Sequence, residues 1–228
     1  MPIIAIAKLF AKPGQRDAQE LTNYTMKVIQ SLKPESDYVK NDELTTSAYY
    51  FFKPEEEVNT LLGFEIYESK ENLETVHIQS APFKTFVDAA TAVSEKPFDL
   101  EFFEPADVGF VTRPNFSTLQ GPNVFVLQVY FVVKPGTREK VLGYMNEIAK
   151  DVWEKEDGCF SYYYAKSIDN PDKFMIFERY VDRPAWDITH RAGAKFIEMF
   201  KRLDDEDLVV SRFIYECYES GVGFLGRD

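Results

Sequence analysis

The chain of 228 residues is long enough for one large domain or two small ones, and 45% of its residues are apolar, which suffices for a buried core. Its formal net charge of −12 disfavours binding to nucleic acid or to a membrane surface, because both partners attract basic proteins. Two cysteines without ligand spacing predict neither a disulfide framework nor a metal site, and the N-terminus predicts a cytoplasmic protein without a signal peptide.

The first half of the chain predicts the order strand, helix, strand, strand, helix, strand. Apolar runs bounded by turn residues indicate the strands, and apolar positions at helical spacing indicate the helices. The predicted strands are Ile3–Ala11, Thr46–Lys53, Leu61–Glu68 and Phe98–Phe103, and the predicted helices are Asp17–Leu32 and Lys70–Ala92.

The second half predicts the same order. Its strands are expected at Val124–Val133, Phe160–Lys166, Lys173–Tyr180 and Leu208–Tyr215, and its helices between Val141 and Val152 and over Arg183–Leu203. Short motifs also recur in order: Lys12-Pro13-Gly14 as Lys134-Pro135-Gly136, and Phe64-Glu65-Ile66-Tyr67 as Phe177-Glu178-Arg179-Tyr180. The two histidines, His77 and His190, are separated by the same number of residues as Glu65 and Glu178. The sequence therefore predicts a duplicated module.

The predicted element order is that of a ferredoxin-like α+β module, so the fold class is two tandem ferredoxin-like (βαββαβ) domains. The expected boundaries are 1–104 for the first domain, 105–122 for a linker rich in proline and glycine, 123–219 for the second domain, and 220–228 for a tail. One face of each sheet lacks helices and needs cover, so we expect the sheets to pack on each other as an intramolecular dimeric α+β barrel, an internal pseudo-dimer. Assembly into a homodimer is left open.

These motifs resemble the antibiotic biosynthesis monooxygenase (ABM) family. The resemblance lies in a first strand ending in Lys-Pro-Gly, a strand of the form aromatic-Glu-x-Tyr, and a following helix that carries a histidine and then Ala-x-Phe. It covers essentially all of both halves. It implies a dimeric α+β barrel and, for several members, oxygenation of phenolic or polyketide-derived aromatics without metal or flavin.

A second branch of the resembled family degrades haem with an asparagine, a tryptophan and a histidine. The corresponding positions hold Ile6 or Ala7, Val76 and Phe86 in the first half and Gln128, Thr189 and Met199 in the second. Because this triad is absent from both halves, haem degradation by that route is not expected. Haem binding without the triad remains a further alternative.

His77 and His190 are the candidate catalytic residues, because their helical stripe faces the sheet and a histidine titrates near neutral pH. The alternative is a buried structural histidine that is hydrogen-bonded to the backbone or to the strand glutamate. Glu65 and Glu178 are candidate binding residues, or else members of structural ion pairs with Arg179, Lys84 or Lys195.

Aromatic side chains crowd the strands, and a flat aromatic ligand would fit a pocket that they line. The candidate substrate-binding residues are Tyr67, Tyr163, Tyr180 and Trp186, joined by Gln128, which has an apolar counterpart in the first half. Ordinary core packing is the alternative for the aromatic residues. The differences between the halves are compatible with one working site and one structural copy.

The leading functional hypothesis is a cofactor-independent monooxygenase that acts on an electron-rich aromatic, phenolic, anthrone- or polyketide-like, with molecular oxygen. No metal site, phosphate loop or dinucleotide motif is predicted. A non-catalytic small-ligand-binding or stress-response barrel is the alternative.

Overall fold

The computed structural model describes residues 1–12 and 18–227, with side chains in the first helix described from residue 29 onward. The turn predicted at Pro13-Gly14 and the predicted helix start at Asp17 lie outside the described residues. The chain divides into two compact units. Unit 1 comprises Met1–Phe102, Ser117–Leu119 and Tyr218–Asp228, and unit 2 comprises Phe103–Phe116 and Gln120–Cys217.

Unit 1 contains the predicted order of elements. These are strand β1 (Ile3–Phe10), helix α1 (Ala18–Asn41), strands β2 (Thr46–Pro54) and β3 (Thr60–Tyr67), a short helix α2 (Lys70–Asn72) that runs into a π-helical turn (Leu73–His77), helix α3 (Ala81–Val93) and the start of β4 (Asp99–Phe110). Strand β3 lies between β1 and β2 and is antiparallel to both, with Glu65 opposite Ala5 and Tyr49.

Unit 2 repeats the arrangement. It contains strand β5 (Phe125–Val133), helix α4 (Arg138–Lys155), strands β6 (Cys159–Ser167) and β7 (Lys173–Tyr180), a π-helical turn (Ala185–His190), helix α5 (Ala194–Asp205) and most of β8 (Val209–Phe224). Strand β7 lies between β5 and β6, with Glu178 opposite Leu127 and Tyr162. The predicted α+β class and the tandem ferredoxin-like repeat are confirmed.

Helix α1 is longer than predicted. The sequence placed its end at Leu32, the last apolar residue of its helical stripe. The helix instead continues to Asn41 with Pro34 inside it. Burial of Val39, together with Tyr38 packed at the edge of the core, compensates for the hydrogen bond that the proline cannot make.

The second helix of each unit is interrupted, whereas the sequence predicted continuous helices. In unit 1, Ser80 adopts an extended conformation and caps α3 by accepting a hydrogen bond from the Phe83 backbone N–H. In unit 2, Gly193 occupies the corresponding cap of α5. Each histidine ends the π-helical turn just before this break. A π turn is wider than an α turn, so it alters the direction in which the side chain is presented.

Strand extends into the predicted linker and makes up more than half of the predicted tail. Strand β4 continues to Phe110, and its later part pairs with β6 in unit 2, Phe103 opposite Ser167 and Gly109 opposite Tyr163. Strand β8 continues to Phe224, so that Val222 and Phe224 join the core of unit 1. Gly109 in the predicted linker and Gly221 and Gly223 in the predicted tail thus lie within strands.

The core of unit 1 lies between its sheet and its helices. Its buried members from β1, α1, β2, β3, α3 and β8 include Leu9, Leu32, Phe51, Leu61, Phe86 and Phe224. None of the helices in the described part of the chain is long and apolar enough to span a membrane.

Candidate functional site

A buried histidine–carboxylate pair lies at the same place in each unit. In unit 1, the His77 Nδ1 lies 3.2 and 3.1 Å from the two carboxylate oxygens of Glu43, a residue that follows α1. In unit 2, the His190 Nδ1 lies 3.1 and 3.0 Å from the oxygens of Glu156, which follows α4. A carboxylate accepts hydrogen bonds, so we assign the proton to Nδ1 in both residues.

The other ring nitrogen meets a different group in each unit. The Nε2 of His190 lies 3.4 Å from the Tyr162 hydroxyl. With Nδ1 protonated, this nitrogen accepts the hydrogen bond from Tyr162 when the ring is neutral. The Nε2 of His77 instead lies 3.6 Å from Oε1 of Glu35, a buried carboxyl on α1.

Glu35 is an additional buried carboxyl that unit 2 lacks. Counting back from Glu43 and Glu156 along the two helices, the position of Glu35 is taken by the buried Ile148. Neither oxygen of Glu35 forms a hydrogen bond of normal geometry. Burial raises the pKa of Glu35 to about 8, and the nearby charge of His77 offsets this only in part.

Carboxylates surround His77 and favour its charged form. Burial lowers its pKa, but the hydrogen bond to Glu43 and the charges of Glu65, Glu43 and Glu35 outweigh burial, so that the pKa is raised above its ordinary value. A histidine with a raised pKa is more often protonated at a given pH and less often free to accept a proton from a ligand. The surroundings of His77 therefore favour a histidine that holds a proton.

The strand glutamates form a second repeated motif. The Tyr67 hydroxyl donates a 2.7 Å hydrogen bond to Glu65, and the Tyr180 hydroxyl donates a 2.7 Å hydrogen bond to Glu178. Residues two apart on a strand share a face, which explains the pairing within one strand. Burial raises the pKa of both glutamates, although the charge of the nearby histidine and the tyrosine hydrogen bond act in the opposite direction.

Cavities of very different size adjoin these two networks. The cavity in unit 2 has a volume of about 420 Å³, and that in unit 1 about 50 Å³. In unit 1 the rings of Phe86 and Phe98 stack with centroids 5.8 Å apart and occupy the space. The order of the repeat places Met199 at the position of Phe86 in unit 2. Only the larger cavity has the size of a typical small-molecule site.

The large cavity is mainly apolar, with a few polar groups. Buried Tyr162 and Glu178 contribute a phenol and a carboxyl, and exposed Arg191 and Arg212 lie at what we call the cavity mouth. The remaining lining residues are Val129, Phe131, Met145, Ile176, Trp186, Phe196, Met199, Phe200, Ile214 and Glu216. The ring of His190 lies behind this wall, with its centroid 5.3 Å from that of Tyr162 and 4.9 Å from that of Phe196.

The structure places some of the predicted site residues in the cavity linings and others outside them. His77 and Glu65 line the small cavity, Glu178 and Trp186 line the large one, and His190 reaches the large one through Tyr162. Tyr67 and Tyr180 bind the strand glutamates. Gln128 and Tyr163 are in neither lining, because each is next in sequence to the lining residues Val129 and Tyr162 and alternation turns it to the opposite face.

The structure does not contain the partners that the sequence analysis suggested for the strand glutamates and for the histidines. The cations suggested for the strand glutamates bind elsewhere: Arg179 donates to the Phe116 carbonyl, Lys84 to the Gln79 carbonyl, and Lys195 to Glu198. The suggested histidine partners, the backbone and the strand glutamate, are replaced by Glu43 and Glu156.

Sequence reasoning missed Glu43, Glu156 and Glu35. A usable signal existed for the first two, because each lies 34 residues before its histidine. Nothing in the sequence marks Glu35, since it has no counterpart in the second half. Among the residues that the structure describes, no group of histidine, cysteine and acidic side chains is arranged to hold a metal ion.

The fold and the site define the class of the protein: two ferredoxin-like α+β units, each with a buried histidine–glutamate pair against its sheet. Residues 124–206 match the family model for antibiotic biosynthesis monooxygenase, so the second half carries an ABM domain. This match confirms the resemblance recognised in the sequence for the second half of the chain. No curated protein matches the sequence.

Solved structures with the same fold extend over nearly the whole chain. A proposed monooxygenase from Lactobacillus acidophilus NCFM has a TM-score of 0.77 at 17% identity, with 99% of each chain covered. A proposed monooxygenase from Fusobacterium nucleatum subsp. nucleatum ATCC 25586 has a TM-score of 0.78 at 17% identity, covering 99% of this chain and 95% of that one. An anthrone oxidase-like protein has a TM-score of 0.61 at 14% identity, with 95% and 91% covered. At these identities the likeness concerns the fold alone.

Proposed function

We propose that the chain is a cofactor-independent monooxygenase whose working site is the cavity of unit 2, with an electron-rich aromatic such as an anthrone or hydroquinone as substrate. One observation carries the proposal: a cavity of about 420 Å³, lined by aromatic and aliphatic side chains, adjoins a buried histidine–glutamate pair through one tyrosine. The ABM domain of residues 124–206 and the anthrone oxidase-like structural neighbour support the same chemistry.

The first step is removal of a proton from the substrate. Glu156 holds His190 with Nδ1 protonated, so the neutral ring keeps Nε2 as the acceptor for the Tyr162 hydroxyl. Tyr162 then accepts the substrate proton as it passes its own proton to His190, which becomes an imidazolium that Glu156 stabilises. Glu178 is a second acceptor in the same cavity, and its raised pKa makes it a better base than an ordinary carboxylate.

The deprotonated substrate itself is the reductant. It transfers one electron to molecular oxygen, and the resulting radical and superoxide combine at carbon to give a peroxide that takes back a proton. At a CH₂ carbon, loss of the second hydrogen as a proton and cleavage of the O–O bond give a carbonyl and water. One oxygen atom of O₂ thus enters the product and the other leaves as water. The apolar lining contributes orientation and exclusion of bulk water.

The test is oxygen consumption by metal-stripped protein with an anthrone and a hydroquinone as substrates. We expect His190→Asn and Glu156→Gln to lower kcat by about 10² or more, the usual contribution of a positioned base. The matched controls are His77→Asn and Glu43→Gln, which alter the same pair beside the small cavity. We expect both control variants to retain activity. Their thermal unfolding is measured to verify that they are folded.

Two outcomes would count against the proposal. Equal losses in the unit 1 and unit 2 variants would show that the cavity of unit 2 is not the site. Oxygen uptake that disappears on removal of metal would contradict cofactor independence. Tight binding of the aromatic without any oxygen uptake would instead favour the non-catalytic ligand-binding alternative.

A further inference from the structure

Arg212 is a cation of the cavity mouth without a carboxylate partner. It lies on β8, and its guanidinium carbon is 5.0 Å from the ring centroid of Phe200, another lining residue. Within residues 1–12 and 18–227, no carboxylate lies within ion-pair distance of it and no hydrogen bond engages its side chain. A guanidinium carries several N–H donors in a planar fork that matches a carboxylate. Its full hydrogen-bonding capacity is therefore available to a ligand.

Arg191 is a second cation at the cavity mouth. Its guanidinium carbon lies 5.1 Å from the ring centroid of Trp186, and its Nη1 lies 3.4 Å from a carboxylate oxygen of Asp187. Asp187 is also 3.8 Å from Arg183, which pairs with Glu216 at 2.6 Å. Arg183 and Arg191 thus pair with Asp187 and Glu216, whereas Arg212 pairs with neither carboxylate.

The two mouth arginines are specific to the unit that has the large cavity. Ile78 follows His77 as Arg191 follows His190, and Ile78 lines the small cavity. Where β8 contributes Arg212 to the large cavity, β4 and the residues just before it contribute Leu100 and Phe98 to the small one. Apolar side chains therefore line the closed cavity in place of the two cations.

From these observations we infer that the ligand of the unit 2 cavity carries a carboxylate, which Arg212 binds at the mouth with assistance from Arg191. This inference rests on the proposed function, which makes that cavity the substrate site. The aromatic body then lies against the contacting rings of Phe196 and Phe200, with its reacting end against the buried Tyr162 and Glu178. A neutral aromatic of the same shape leaves the guanidinium of Arg212 unused. The mouth therefore selects acidic aromatics over neutral ones.

Calorimetric titration with a matched pair of probes tests the inference. The probes are anthraquinone-2-carboxylate and the neutral anthraquinone-2-carboxamide, which have nearly the same shape. We expect the unmodified chain to bind the carboxylate at least tenfold more tightly, because a charge-assisted hydrogen bond contributes about 1.5–3 kcal/mol. Arg212→Gln and Arg212→Leu should abolish this preference and leave affinity for the amide nearly unchanged. Arg212→Lys should keep part of it.

Arg202→Gln is the matched control, because it removes the same charge from a side chain on α5 that pairs with Glu147 and does not line the cavity. We expect it to keep the preference. Equal affinity of the unmodified chain for both probes, a preference that survives Arg212→Gln, or an equal loss in Arg202→Gln would each overturn the inference. If the chain oxidised neutral aromatic substrates and showed no preference for the carboxylate probe, this inference would be refuted and the proposed function would stand. Failure of the chain to bind either probe would count against both proposals.

Discussion

At the scale of single residues, the two units share a network and differ in one carboxyl. In both units the Nδ1 of a histidine lies within hydrogen-bond distance of a glutamate carboxylate, and a tyrosine hydroxyl donates a hydrogen bond to a strand glutamate. In unit 1 the other histidine nitrogen faces Glu35, whereas in unit 2 it faces the Tyr162 phenol. The two histidines therefore differ in the group that faces Nε2, a carboxyl in unit 1 and a phenol in unit 2.

Glu35 makes stability depend on pH. Its pKa is about 8 in the folded chain and near 4.5 in the unfolded one, so the folded chain binds the extra proton between these values. The free energy of unfolding should therefore fall as pH rises from about 4.5 to about 8, by a few kcal/mol at most. Glu35→Gln should remove most of this slope and stabilise the chain at pH 9. Urea denaturation between pH 5 and 9 measures the effect.

The exposed Glu95→Gln variant, which removes a carboxylate that is not buried, serves as the control for net charge. If Glu35→Gln left the slope of stability against pH unchanged, Glu35 would not be buried in its neutral form.

At the scale of elements, the last strand of each unit contains a tightly packed glycine. A Cβ on Gly109 would lie 1.8 Å from the Tyr162 carbonyl oxygen, and one on Gly223 would lie 2.4 Å from the Tyr49 carbonyl oxygen. Both glycines have positive φ, 79° and 122°. Val108-Gly109-Phe110 and Val222-Gly223-Phe224 are the same motif, a further repeat within segments that the sequence analysis assigned to the linker and the tail.

Gly109→Ala should therefore disturb the pairing of β4 with β6 beside Tyr162. We expect a loss of about 2 kcal/mol or more in the free energy of unfolding, because an alanine both clashes with backbone and occupies a disfavoured φ. Chemical denaturation measures it. Gly121→Ala is the control: its φ is also positive, but no atom lies within 4 Å of the added Cβ. Equal losses in the free energy of unfolding in Gly109→Ala and Gly121→Ala would show that the positive φ, and not the clash with backbone, causes the effect.

At the scale of the whole molecule, each unit is completed by chain from a distant part of the sequence. Unit 1 includes the C-terminal segment from Tyr218, and unit 2 includes the segment from Phe103 to Phe116. The C-terminal segment is bound tightly: the Tyr50 hydroxyl donates a 2.8 Å hydrogen bond to Glu219, and Arg227 donates to the backbone carbonyls of Val39, Lys40, Glu43 and Thr46. A cut after residue 104 would therefore separate parts of the same unit.

Removal of residues 220–228 tests this organisation. A tail would be dispensable, whereas the loss of buried Val222 and Phe224 and of the Arg227 hydrogen bonds should lower the melting temperature by several degrees or more. Hydrogen exchange should accelerate in unit 1, most of all along β2. The variant lacking only Asp228 is the control. An unchanged melting temperature would show that residues 220–228 are a dispensable tail.

The sequence by itself determined the duplication, the α+β class, the order of the elements and the histidines and strand glutamates of both sites. These features depend on local periodicity and on repeated motifs, both of which are readable along one chain. The tertiary structure alone decided that His77 faces a third carboxyl, that phenylalanine rings fill one cavity while the other stays open, and that strand extends into the predicted linker and tail. Each of these depends on contacts between residues far apart in the sequence, where side-chain volume and burial, not spacing, set the outcome.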